Sequence, residues 1–208
     1  MSRVHAIVSL VLIGLLTAVS VNKSQAQPFQ AKGAPEQKSC TGKNDRDLSS
    51  PLMAASAKGD VTAVRAAFAK AVSVNGRNKD GETALIIAAD GGFSDVVALL
   101  IEKGADVNAK SIDGITALMA AACAGDIKSV RALLSKGAEI NAKSKDSVTP
   151  LMFAAEAKGD RVDLVQLLLE KGADINAKDS DNDTAIGYAE FEENKKVFEL
   201  LKKAQAKK

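Results

Sequence analysis

At 208 residues the chain has room for one domain of ordinary size, and its 46% apolar content includes only 3% aromatics and no Trp, which suits short, closely packed helices better than a core of large rings. The 28 basic and 26 acidic side chains nearly cancel, and no charged block is large enough to recruit nucleic acid or a membrane surface. His5 is the only His, and Cys40 and Cys123 are the only Cys. With His5 in a segment read below as removed, triads and metal sites that need imidazole are excluded, as is a thiolate-only zinc site.

Residues 1–26 read as a secretory signal peptide. Arg3 stands in a short polar start, Ala6 to Val19 is apolar apart from Ser9, Gly14 and Thr17, and Ser24-Gln25-Ala26 offers small residues at a cleavage site. Cleavage after Ala26 is the first expectation, with a site near Ser20 as the alternative. An uncleaved anchor would need roughly 20 apolar residues, more than this run supplies. No Cys closes the run, so lipoprotein processing is not expected. Residues 27–46 are polar, contain Pro28, Gly33, Pro35 and Gly42, and show no apolar period. They read as a flexible leader that carries Cys40.

From Asp47 onward the chain repeats itself. Thr83, Thr116 and Thr149 are 33 residues apart, with Ser50 and Thr184 at the outer equivalents. Asp47, Asp80, Asp113, Asp146 and Asp181 each stand three positions earlier, followed by Gly, Asn or Ser in four of the five cases. That is turn chemistry leading into a hydroxyl that can cap a helix. Pro51 and Pro150 fall at the first helical position, where a missing N–H is harmless. The first helix of each unit carries Leu and a small pair, as in Leu85 with Ala88-Ala89 and Leu118 with Ala121-Ala122. Gly59, Gly92, Gly125 and Gly159 then end it. The second helix has apolar residues at i, i+3 and i+4, as in residues 95–101 and 164–169. Gly104, Gly137 and Gly172 terminate it, and a loop with Asn75, Asn108, Asn141 or Asn176 leads to the next turn. Helices of two or three turns are marginal alone in water. Stacking is what buries their apolar faces, so a period of this size predicts a solenoid.

These residues resemble the ankyrin repeat, a 33-residue unit with Thr-Pro-Leu-His, an Ala pair, Gly, a Val/Leu-rich second helix and Gly-Ala-Asp-Val-Asn. The resemblance implies an all-α helix-turn-helix solenoid with short β-turn tips and about five repeats, at 47–79, 80–112, 113–145, 146–180 and 181–208. The outer units match more weakly: Ala71 and Ser73 replace Gly and Asp in the first, and Glu193 stands at the Gly position of the last. The family's His is Met53, Ile86, Met119 and Met152 here, which predicts a more apolar junction between turns. The fourth unit runs 35 residues from Thr149 to Thr184, which predicts a longer, irregular junction around Glu156-Ala157-Lys158 and Asp160-Arg161.

The resemblance also implies a non-catalytic protein-binding module that works through its concave face and turn tips, with no cofactor or metal. Carried onto this chain, the partner-binding positions are Lys79, Glu82, Asp90, Ile112, Ile115, Cys123, Lys145, Val148 and Glu156. Ile112, Ile115 and Val148 would form an apolar centre inside a polar rim, unless they fold back and pack on one another. The expected partner is an exported or envelope protein, bound by a monomer in the periplasm or outside the cell, with no nucleic acid and no stable membrane insertion once the signal is cleaved. The competing reading is a thiol-based redox or disulfide-linked protein. Cys40 and Cys123 could pair, stay reduced or bridge to a partner. A catalytic thiol is disfavoured, because no His or Cys-x-x-Cys neighbour stands by to lower the pKa of Cys123. The Asn182-Asp183-Thr184 acceptor pattern and the carboxylates of the turns read as turn structure.

Overall fold

The computed structural model describes residues 48–206 apart from 71, 158, 160, 192 and 193. The expected signal peptide, the leader and Cys40 lie outside the described residues. Among the described residues ten α-helices follow in pairs: α1 (Pro51–Ala57) and α2 (Val61–Ala69), α3 (Ala84–Asp90) and α4 (Ser94–Glu102), α5 (Ala117–Ala124) and α6 (Ile127–Ser135), α7 (Pro150–Glu156) and α8 (Val162–Glu170), α9 (Ala185–Phe191) and α10 (Lys195–Gln205). The first helices of successive pairs pack in one row, α1 on α3, α3 on α5, α5 on α7 and α7 on α9. The second helices pack behind them. No strand forms among the described residues beyond a bridge between Arg77 and Thr83, and no described helix is long and apolar enough to cross a membrane.

The helix starts follow from the Thr positions. The hydroxyls of Thr83, Thr116 and Thr149 accept from the backbone N–H of Ile86, Met119 and Met152 at 3.4, 3.3 and 3.4 Å, which satisfies a donor that the first helical turn leaves open. Ser50 makes no such bond. Second helices have caps of their own. Asp60, Asp126 and Asn194 accept from Ala63, Ser129 and Val197 at 2.9, 3.2 and 3.4 Å.

Small residues let the front row close up. Ala88, Ala89, Ala121, Ala122, Ala154 and Ala155 are fully buried beside Leu85, Leu118 and Leu151. The positions of the family's His belong to this core as well: Ile86 is 2% exposed, and Met119 and Met152 are 0% exposed. The junction is apolar as expected, and Met152 retains part of the lost polarity, because its sulfur accepts from Thr149 N at 3.4 Å. A buried Met is a packing residue here, not a flexible binding stripe.

The fourth unit departs where the extra residues predict. Its helices are joined by residues 157–161, against 91–93 in the second unit. Ala157 leaves α7 in an extended conformation (φ −64°, ψ 135°). The longer junction places Arg161 at the start of α8, with its guanidinium lying over Gly125, so that a Cβ there would overlap it. This sets a cation at the C-terminal end of α5, where the helix dipole favours it. Two units earlier Phe93 covers the preceding unit in the same way without a charge, its ring lying over Gly59.

Candidate functional site

Each turn tip is a short hairpin closed by the same bonds. In the third unit Gly114 N donates to Ser111 O at 3.0 Å and Ser111 N donates to Ile115 O at 2.9 Å. Gly114 lies in the left-handed region at φ 76°, the pattern of a three-residue loop with a glycine bulge. Gly81 (φ 71°), Ser147 (φ 61°) and Asn182 (φ 67°) hold the same place in the other turns. The residue that opens each turn locks it with its side chain. Asn78 Oδ1 accepts from Glu82 N at 2.8 Å, Ser111 Oγ from Ile115 N at 3.1 Å, Ser144 Oγ from Val148 N at 3.1 Å, and Asp179 Oδ1 from Asp183 N at 2.8 Å.

Backbone bonds then tie tip to tip. Ile112 N donates to Asp80 O at 2.8 Å, Lys145 N to Asp113 O at 2.9 Å, and Ser180 N to Asp146 O at 2.9 Å. A second set of clips runs through the loop asparagines. Asn108 donates to Gly137 O at 3.1 Å and accepts from Glu139 N at 2.9 Å. Asn75 and Asn141 bond the following unit in the same way. Asn176 meets the last unit differently, through Gln205 of α10, which donates to its side-chain oxygen at 3.0 Å. The tips therefore form a pre-ordered row, with little entropy left to lose on binding.

Sequence reasoning noticed the recurring Asn but treated it as loop, and it missed the locking residues Asn78, Ser111, Ser144 and Asp179. The signal was a polar side chain five residues before each capping Thr.

The nine expected positions divide by exposure. Lys79 and Lys145 are exposed, and Ile112 is 56% exposed, the only large hydrophobic side chain so placed among the described residues. All three occupy the outer corner of their turns, second of the four residues. Ile115 is half-buried and packs against the core. Cys123 and Glu156 are half-buried at equivalent places near the ends of α5 and α7.

Three positions correct the expectation of an accessible surface. Val148 is 7% exposed and joins the core, because the residue after the left-handed position is where the chain turns inward to its helix. Glu82 has the same place and is 5% exposed, with its carboxylate accepting from Asn78 Nδ2 at 2.9 Å. Asp90 is 3% exposed because α3 is enclosed between α1 and α5, which buries all of its residues.

The front face of the helices adds two aromatics that sequence reasoning did not single out. Phe153 of α7 and Tyr188 of α9 hold the same place on neighbouring helices, and both are half-buried. The Tyr188 hydroxyl donates to Asp179 Oδ2 at 2.7 Å. Burial, that hydrogen bond and the nearby carboxylates of Asp179, Glu156 and Asp183 push its ionisation well above the usual phenol range. Burial, then the charges of Asp179 and Asp181, raise the Asp183 carboxyl above its ordinary value. The last turn is thus crowded with negative charge. No cluster of His, Cys, Asp or Glu with metal-holding geometry occurs among the described residues.

A family model described as ankyrin repeats (3 copies) matches residues 18–111 and 118–208. No curated protein matches the chain. Ankyrin repeats are generally non-enzymatic protein–protein interaction modules. Stacked helix pairs, capped turns and the family model agree, and the chain belongs to the ankyrin repeat family.

Proposed function

We propose that this chain binds an exported protein through the row of central turn tips, as a monomer acting outside the cytoplasm, where it serves to scaffold, shield or inhibit that partner. The observation that carries the reading is Ile112. This apolar side chain leans on Gly81 of the preceding turn yet stays 56% exposed at a rigid corner between exposed Lys79 and Lys145, and apolar groups inside a polar rim are how interface centres are built. Ile115 backs it from the half-buried layer, and Cys123 and Glu156 extend the surface along the helix ends. The apolar run 6–19 followed by Ser24-Gln25-Ala26 supports export.

The test is capture of a partner from the exported fraction with the wild-type chain and with Ile112→Asp at matched helicity. The proposal expects a defined partner on the first and its loss on the second. Equal retention would move the contact away from the tips. A thiol-based function predicts the reverse pattern, with Cys123→Ser inactive and Ile112→Asp unaffected.

A further inference from the structure

The partner's chemistry can be read from the row itself. We propose that the central tips recognise an extended, acidic segment of the partner, with an apolar side chain seated on Ile112 and a carboxylate on either side reaching Lys79 and Lys145. The inference rests on the reading of the tips as the contact surface and adds what they select.

The geometry comes from the bonds between turns. Lys79, Ile112 and Lys145 hold the same corner in three successive turns, and the backbones are joined through Asp80 O and Asp113 O. Stacked helices set neighbouring units about 10 Å apart, so the corners that carry Lys79 and Lys145 stand about 20 Å apart with Ile112 between them. An extended chain rises about 3.3 Å per residue. A carboxylate about three residues to each side of the apolar anchor therefore matches the row.

Charge favours carboxylates at fixed places over a polyanion. Among the described residues neither Lys79 nor Lys145 is held in an ion pair, and exposed Lys110 and Lys143 stand two residues before Ile112 and Lys145. Each tip residue is also followed by Asp80, Asp113 or Asp146. The positive charge is therefore discrete and not a continuous track of the kind that a phosphate backbone needs. The row is negative at its far end. Asp179, Asp181 and Asp183 crowd the last turn, and Glu156 lies on the helix side. An acidic segment is thus turned away from the last turn, so repulsion there and attraction at the corners both favour one register.

Selection of a random dodecapeptide display library on the whole chain tests this directly, run in parallel on wild type, Lys79→Glu/Lys145→Glu and Ile112→Asp, each checked for unchanged helicity. The expected wild-type winners carry Asp or Glu about three residues to either side of an aliphatic or aromatic residue. They should bind the double charge reversal about tenfold or more weakly, and the reversed variant should select Lys or Arg in those places. Wild-type winners with no charge bias that still need Ile112 would overturn the acidic segment and leave the interface standing. Winners indifferent to both variants, or no enriched family at all, would overturn both.

Discussion

Replacing Gly114 with alanine separates local strain from coupling between units. Gly114 has φ 76° and Gly137 has φ 83°. Alanine in the left-handed region is penalised by about 1–2 kcal/mol at either site, which outweighs the about 0.4–1 kcal/mol returned by the stiffer unfolded chain. At Gly137 nothing lies within 4 Å of an added Cβ, so the backbone strain alone remains, a net loss of about 1 kcal/mol. At Gly114 the Cβ would stand 2.9 Å from Lys145 N and 3.1 Å from both the Cα and the carbonyl carbon of Ser144. Those are backbone atoms of the next turn and cannot swing aside. The turn must move, and the 2.9 Å bond from Lys145 N to Asp113 O is stretched or lost, at about 1 kcal/mol, with overpacking adding about 1–3 kcal/mol. Gly114→Ala should therefore be about 2–4 kcal/mol less stable, a urea midpoint lower by about 1 M or more. Urea titrations followed by far-UV circular dichroism give the comparison. Equal losses for Gly114→Ala and Gly137→Ala would refute the idea that the tips are held by one another.

Asn108→Ala removes two bonds to the next unit and should lower stability by about 1–2 kcal/mol, whereas Asn176→Ala, with its single bond to Gln205, should lose about half of that in the same titration. Asp183→Asn should raise stability at neutral pH. The carboxyl's raised folded-state pKa contributes stability that is fully present below its unfolded value of 3.8 and lost as pH rises through the folded one, so the variant's advantage should vanish in unfolding curves taken below that value. Tyr188→Phe should lose about 1 kcal/mol at neutral pH with the bond to Asp179. The wild type should weaken further above pH 10.0, where only the unfolded phenol ionises, and Tyr188→Phe should lack that alkaline loss at this position.

The period, the helix starts and the irregular fourth unit were legible because each rests on a local rule. A hydroxyl that caps a helix, a small pair that lets helices touch and a junction with residues to spare all leave marks in sequence. The direction in which a turn residue points leaves a weaker mark. Ile112, Ile115 and Val148 look alike in a one-dimensional repeat, yet Ile112 is at the outer corner and the other two follow the left-handed residue, where the chain heads back to the core. Glu82 misleads in the same way, because a carboxylate suggests solvent until Asn78 is seen to hold it. The loop asparagines were visible as a column, but their bonds reach 29 and 31 residues ahead, and no local rule announces that.

The corner residue of each turn is where a partner's preference can be written. In each turn the first side chain locks the loop, the third residue's carbonyl receives the next unit, the fourth must accept a left-handed backbone, and the fifth turns inward. Change at any of these positions disturbs the stack. At Ile112, Lys145 and Ser180 the second residue gives its backbone N–H to the preceding unit while its side chain stays at the rim, and this is the column in which Lys79, Ile112, Lys145 and Ser180 differ. Substitution at such a corner should alter stability by no more than about 0.5 kcal/mol, while changing whatever the row contacts. A large loss of stability in Ile112→Asp would therefore mean that the side chain is part of the scaffold, and the argument for a binding role would fall with it.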